Sequence, residues 1–273
     1  KTKTRGNNDC FGVFRMKNVI FIPAIDAGRG RHHSYDYSIK SWRHWADNND
    51  CQVLVWDSAI YSWDEMTIPW QRYHLFQILE SNNIDYDQVL MVDCDTVVNP
   101  KTPNFFEMTD HKYSAVLDNG CWEWTGRSLR HYQDLFDGFK VERGLYFNGG
   151  FQIVNKSHKD FFDEVLNFYF ENSDILREKQ KAGLSTDQTP INYLVQTKGM
   201  EINLLPQTYN LHHMVSKNLL NFGNSWWGDG MENLYEQAWV YHFNAIPTNP
   251  LDRNASYFIK RAYEELYENT ISE

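Results

Sequence analysis

The 273-residue sequence is short of the features that assign a protein quickly. Its four cysteines, Cys10, Cys51, Cys94 and Cys121, form no CxxC pair and no zinc-ligand spacing, which excludes a cysteine-built metal framework. No apolar run approaches 18 residues, so no transmembrane helix is expected, and no signal peptide precedes the first strand. There is no basic block, and the net charge is -10. That argues against a nucleic-acid backbone or an anionic membrane as the main partner, but not against a nucleotide held by a metal and a few placed groups. No internal repeat and no linker interrupts the chain. Cys51 and Cys94 fall in expected strands and read as buried free thiols; the setting this favours is reducing and cytoplasmic. What the chain does have is aromatic residues, 16% of the total with ten tryptophans. Most must be core, and rings left partly exposed suit flat ligands such as bases or sugars.

Taken in order, residues 1–15 are polar, lack periodicity and read as a flexible N-terminal extension. Val19 to Ile25 is an apolar strand that ends in a loop rich in Gly and Arg, Asp26 to Arg31; this loop lacks the Gly-Lys-Ser/Thr of a Walker A sequence. Tyr35, Ile39, Trp42 and Ala46 mark one face of a helix. Cys51 to Trp56 is a second strand, Met66 to Glu80 a helix, and Val89 to Val92 a third strand. Strand, helix, strand, helix, strand implies parallel pairing with helices on both faces. Further on, Tyr113–Leu117 reads as a strand, Asp118–Gly126 as a loop, Tyr146–Asn155 as a strand and Phe161–Phe170 as a helix. Ser185 is the expected N-cap of a helix running to about Gln196, with Gln188 three residues on as in a capping box. Ile202–Leu205 and Trp239–Phe243 are short strands, and Tyr257–Tyr267 is an amphipathic tail helix.

The third strand ends on Asp93 and Asp95, one residue apart. In extended backbone such residues point to one side, and two carboxylates that close repel unless something neutralises them. At the carboxyl end of a sheet strand, a divalent cation of the Mg or Mn class fits hard oxygen ligands. Ala24 and Asp57 end the first two strands, where α/β sheets meet ligands. The paired glycines of Asn148-Gly149-Gly150 signal a close backbone approach or a bulge.

With these pieces in place the chain resembles the GT-A glycosyltransferases, most closely the glycogenin-like and galactosyltransferase-like retaining family 8. The likeness runs from about Asn18 to Pro250. It is carried by Tyr73 to Val98 with Asp93-Cys94-Asp95, by Tyr146-Phe147-Asn148-Gly149-Gly150, by Thr186-Asp187-Gln188-Thr189-Pro190-Ile191-Asn192, and by Val240-Tyr241-His242-Phe243-Asn244. Gly149 stands where the family usually has Ala, and no Lys follows His242 where one would meet the leaving diphosphate. The resemblance implies an α/β fold: one domain over 16–273 with a mixed, Rossmann-like sheet flanked by helices. Residues 16–100 would form its nucleotide-sugar half and 101–273 its acceptor half. It implies transfer of a hexose or pentose from a nucleoside-diphosphate sugar, with UDP the expected carrier, to a glycan or glycoprotein acceptor, with retention favoured. Asp93, Asp95 and His242 would hold Mn2+ or Mg2+. Ala24, Asp57, Arg72, Asp93 and Asn148 would contact the donor, Arg72 either touching the diphosphate or bracing the metal loop. Asp187 would be the base of an inverting reaction, and Gln188 the residue near the anomeric carbon in a retaining one. Asp118, Trp122, Trp124, Trp226 and Trp227 are candidates for the acceptor side.

Three rival readings accompany this one, among them a nucleotidyltransferase making nucleotide-sugars, which would usually carry a Gly-rich, Lys-bearing loop after the first strand that the loop with Arg29 and Arg31 only partly imitates. Asp93-Cys94-Asp95-Thr96 also fits the nucleophile motif of haloacid-dehalogenase-type phosphatases, with Asp93 attacking, and Gly228 to Asn233 superficially fits their late acidic motif. That nucleophile strand normally comes first, whereas two strands precede it here. A non-catalytic carbohydrate-binding module would account for the tryptophans but not for the paired carboxylates.

Overall fold

The computed structural model describes residues 18–26, 32–212, 238–246 and 255–268. The 1–15 extension, most of the loop after the first strand, the Gly228–Asn233 motif, and both Trp226 and Trp227 lie outside the described residues. Among the described residues no helix is long and apolar enough to cross a membrane.

A six-stranded sheet forms the centre. Its strands are β1 (Asn18–Pro23), β2 (Cys51–Trp56), β3 (Gln88–Val92), β5 (Tyr113–Leu117), β6 (Phe147–Asn155) and β7 (Ile202–Leu205), in the spatial order β2-β1-β3-β6-β5-β7. β1, β2 and β3 pair in parallel as the alternation of elements predicts. The sheet as a whole is mixed, because β6 runs antiparallel to both of its neighbours. Every residue of β3 and of β6 is buried; β3 reads as a near-continuous apolar run, while the polar side chains of β6, Asn148, Gln152 and Asn155, are hydrogen-bonded. The reversal of β6 has a functional consequence: its amino end, Phe147 to Gly150, lies beside the carboxyl ends of β3 and β5.

One face of the sheet is covered by α2 (Ile68–Gln71), α3 (Leu75–Ser81), α5 (Lys159–Lys181) and α6 (Gln188–Thr197), through a core that includes Trp70, Tyr73, Phe76, Phe162, Tyr169 and Tyr193. The other face is covered by α1 (His32–Asn48), whose Trp42 and Trp45 pack with Phe105 and Phe151. A separate two-stranded ribbon pairs β4 (Thr96–Val98) with β8 (Val240–His242), in the register Thr96↔His242, Val97↔Tyr241, Val98↔Val240. α7 (Ala255–Tyr263), continued by a π-helical turn over Glu264–Glu268, packs against this ribbon and α1.

Several local expectations are corrected. Asp93 and Asp95 are not in the strand: β3 stops at Val92, and Cys94 and Asp95 lie in a turn closed by Thr96 Oγ1 donating to Asp93 O at 2.7 Å. Cys94 is therefore a turn residue, while Cys51 does lie in β2. The helix expected over 66–80 breaks into α2, a 3-10 turn at Arg72–His74, and α3. The break lets Arg72 Nε donate back to Pro69 O at 2.9 Å and turns its guanidinium inward. The 118–126 loop ends early: α4 (Trp122–Tyr132) begins inside it, so Trp122 and Trp124 are helical. Only Asp118 to Cys121 carry the turn residues. Ser185 is not the N-cap, because α6 starts at Gln188 with Asp187 in the cap position. The Ser185 hydroxyl nevertheless accepts from the Thr189 backbone N–H at 2.9 Å, and so satisfies one free donor of the first turn.

Candidate functional site

Chain direction brings the candidate residues to one end of the sheet. β1, β2 and β3 are parallel, so Ala24, Asp57 and Asp93 follow their carboxyl ends together. Ala24 donates its N–H to Trp56 O at 2.8 Å, which joins the first two of these ends. Asp57 is exposed and accepts from the Ser58 hydroxyl at 3.0 Å. Asp118 follows β5, Asn148 and Gly149 open β6, and Gln188 opens α6.

The β4–β8 ribbon sets the centre of the site. Its register puts His242 opposite Thr96, next to the acidic turn. His242 Nε2 lies 3.2 Å from Asp95 Oδ1 and 3.5 Å from Asp93 Oδ2. One ligand atom from each residue falls within a 4.8 Å group. His242 Nδ1 is 2.9 Å from Asn210 Oδ1. That bond puts the ring proton on Nδ1 and turns a lone pair at Nε2 toward the carboxylates. Nε2 is buried and has no hydrogen-bond partner.

These residues fit a divalent cation on three grounds. An orphaned buried imidazole nitrogen faces two carboxylate oxygens. Two ligands at ~2.1 Å from one ion, at right angles, stand about 3.0 Å apart, close to the separations observed. The space is kept open by Gly150, where an added Cβ would fall 2.6 Å from Asp93 Oδ2 and closer still to the His242 ring.

Arg72 organises the other side. It is buried, and its Nη1 donates to Asp93 Oδ1 at 2.6 Å and to Gly149 O at 2.9 Å. Its Nη2 is 2.9 Å from Asp187 Oδ2, which also accepts from the Tyr73 hydroxyl at 3.1 Å. Of the two roles considered for this arginine, the one visible in the side-chain contacts is bracing. Burial opposes charge on Arg72, but Asp187 and Asp93 outweigh it and hold the guanidinium protonated. Burial likewise pushes Asp93 up, yet Arg72 and His242 bring its carboxyl well below the usual range. At Asp187 burial prevails over Arg72 and lifts the carboxyl above its ordinary value. His242 is lowered by burial but raised more by Asp95 and Asp93, for a net rise.

A hydrogen-bonded chain of amides links this centre to a cleft of about 450 Å³, lined among others by Asp118, Trp124, Arg127, Asn148 and Gln188. Asn210 Nδ2 donates to Asn148 Oδ1 at 3.0 Å, and Asn148 Nδ2 donates to Gln188 Oε1 at 3.2 Å. Gln188 Nε2 donates to Asp118 Oδ2 at 2.6 Å. Asp187 is absent from the cleft lining, since its side chain turns under β6 toward Arg72. Trp124 lines the cleft and donates its indole N–H to Gly183 O at 3.2 Å. Trp122 does not line it: it is 62% exposed, with the Arg143 guanidinium 5.6 Å from its ring centre. Sequence reasoning missed Asn210, and a lone asparagine after a short strand carries no signal that would have found it.

No family model matches the chain, and no curated protein matches it. Among solved structures, the chain is similar to a glycosyltransferase involved in the glycosylation of the major capsid of PBCV-1, with a TM-score of 0.54, 10% identity, and coverage of 90% of this chain and 98% of that one. The fold is that of a GT-A glycosyltransferase. Two further GT-A structures align over most of the chain. The galactosyltransferase LgtC, in complex with donor and acceptor sugar analogs, gives a TM-score of 0.49 at 14% identity, covering 92% of this chain and 96% of that one. Mouse xyloside xylosyltransferase 1 gives 0.47 at 12% identity, covering 84% and 98%. At these identities the likeness is one of fold, and the chemistry has to be argued from the side chains.

Proposed function

We propose that this protein is a metal-dependent glycosyltransferase that moves a hexose or pentose from a nucleoside-diphosphate sugar, UDP being the expected carrier, to a glycan or glycoprotein acceptor. The observation that carries this reading is the Asp93, Asp95 and His242 cluster, set at the carboxyl end of β3 in a GT-A fold and wired through Asn210 and Asn148 to a ligand-sized cleft. A Mn2+ or Mg2+ ion held by these three residues would stabilise the charge that develops on the departing diphosphate. Arg72 holds the Asp93 carboxylate and Asn210 the His242 ring. Asn148 and Gln188 present amide groups to the donor sugar, and Asp118 fixes the Gln188 amide orientation. Ala24 and Asp57, after the ends of β1 and β2, would meet ribose and base.

In the reaction the bond from the anomeric carbon to the diphosphate oxygen breaks and a bond to an acceptor oxygen forms. The acceptor proton passes to the departing diphosphate. Retention is favoured over inversion by the positions of the two residues considered for the reaction, the general base of an inverting enzyme being a carboxylate that reaches the acceptor hydroxyl. Asp187 is bonded to Arg72 and Tyr73 instead, while Gln188 lines the cleft. Trp124 and Asp118, which line the cleft, would meet the acceptor, and Trp122 lies outside that lining. The phosphatase reading fares worse, because the carboxylate it would use, on Asp93, is held at 2.6 Å by Arg72. The free thiols of Cys51, Cys94 and Cys121 suit a reducing, cytoplasmic setting.

The test is a donor screen followed by the anomeric proton signal in NMR, with Mn2+ and with EDTA. Metal-dependent release of nucleoside diphosphate from one donor is expected, with loss of at least about 100-fold in Asp95→Asn. The coupling constant of the new anomeric proton separates retention from inversion. Phosphate release from a phosphomonoester, with no turnover of any donor, would overturn the proposal.

A further inference from the structure

Arg127 is set in the middle of α4 and lines the same cleft as Trp124, Asn148 and Gln188. It is partly buried, and its Nε is fully so, with no hydrogen-bond partner. No carboxylate among the described residues lies within ion-pair distance of it. This sets it apart from Arg72 on Asp93 and Asp187, Arg177 on Asp174, and Arg261 on Glu265. Glu123, one turn earlier at the i−4 position favoured for helical ion pairs, does not reach it. Asp118, the other acid in the cleft, is engaged elsewhere: Oδ2 accepts from Gln188 and Oδ1 from the Gly120 N–H at 2.9 Å. A guanidinium whose Nε is buried and unpartnered is costly without a counter-charge, and the space this one borders is sized for a small ligand.

We infer that Arg127 reads an anionic group, a carboxylate or phosphate, on the sugar that enters the cleft. A neutral hexose offers only hydroxyls, each a single weak partner. A uronate or phosphorylated sugar offers two oxygens in the plane that a guanidinium fork matches. The inference rests on the glycosyltransferase reading for the identity of the ligand as a sugar. The charged sugar can belong to the donor or to the acceptor, and the binding experiment separates the two.

Binding would be measured by calorimetry with Mn2+ for matched pairs: UDP-glucuronate against UDP-glucose, methyl glucuronide against methyl glucoside, and glucose 6-phosphate against glucose, with UDP alone as reference. The proteins would be wild type, Arg127→Met, which keeps the packing of the stem, and Arg127→Lys, which keeps the charge. Wild type is expected to prefer the anionic member of at least one pair by about tenfold or more. Arg127→Met should erase that preference and Arg127→Lys retain part of it, with UDP affinity unchanged in all three. No preference in any pair would overturn the inference, as would a preference that survives Arg127→Met. A fall in UDP affinity as large as that for the charged sugar would reassign Arg127 to the diphosphate. If Arg127→Met does not fold, the wild-type preference and its reduction in Arg127→Lys decide. Wild type that fails to bind UDP would remove the glycosyltransferase reading, while the glucuronide and phosphate pairs would still decide for Arg127.

Discussion

Gly149 and Gly150 sit side by side in β6, yet the space around them differs. An added Cβ at Gly149 would meet the Gln188 Cβ at 3.5 Å, an ordinary contact, whereas at Gly150 it would fall among the groups proposed to hold the ion. Gly149→Ala is expected to fold and bind Mn2+ as wild type does, and Gly150→Ala to lose Mn2+ binding; equal affinities by electron paramagnetic resonance titration would show that the cradle yields. Asn210 is the second residue of interest. Asn210→Leu removes the acceptor at His242 Nδ1 and the donor to Asn148 together. Loss of such a supporting partner typically weakens metal affinity about 10–100-fold. Unchanged affinity in a variant with a normal circular dichroism spectrum would mean that packing alone orients the ring. At Arg72, substitution by Met strands two carboxylates beneath the site. A destabilisation of about 3–5 kcal/mol is expected in urea unfolding, partly recovered by adding Asp187→Asn. No recovery would mean that the two sites are not coupled through this bridge.

At the scale of elements, the long apolar strands were legible in the sequence and the short polar connections were not. β1, β2 and β3 announced themselves through Val19–Ile22, Val53–Val55 and Val89–Val92, and the Asp-x-Asp pair was visible because it interrupts such a run. β4 went unread because three residues, Thr96–Val98, are too few for a period, yet this strand pairs with β8 and so draws His242 to the carboxylates. α4 was read as loop because Gly126 and the acids beside it resemble turn chemistry. In the structure Gly126 leaves room for the Arg143 guanidinium, which an added Cβ would meet at 2.8 Å. The order of β6 and β5 within the sheet depends on long-range pairing that no local pattern encodes. The entry to α5 carries a pH dependence. His158 Nδ1 accepts from the Asn155 N–H at 3.0 Å, and burial lowers the His158 pKa below 6.5. The unfolded chain therefore takes up this proton at higher pH than the folded one. The stabilising contribution is present above pH about 6.5 and is lost as the pH falls below it. The urea midpoint should drop between pH ~7.5 and ~5.5, and His158→Gln should flatten that slope; an unaltered slope would assign it to other groups.

At the scale of the whole molecule, the β4–β8 ribbon is backed by a helix that follows it in sequence. α7 buries Phe258, Ile259 and Ala262 against Val97, Tyr241 and Phe243 of the ribbon. Just beyond α7, the Tyr267 hydroxyl donates to Val98 O at 2.7 Å. A chain ending before Ala255 is expected to melt at lower temperature and to bind Mn2+ more weakly, since each large apolar side chain uncovered costs roughly 1.5–3 kcal/mol. An unchanged melting temperature would show that the ribbon stands without this helix.

The ribbon also fixes an order of events during synthesis. Asp93 and Asp95 leave the ribosome well before His242, since translation proceeds at roughly 5–20 residues per second. For that interval the two carboxylates lack their imidazole partner. The three groups proposed to hold the ion come together only once β8 has emerged and paired with β4, so a translation product cut off before His242 would lack one of them.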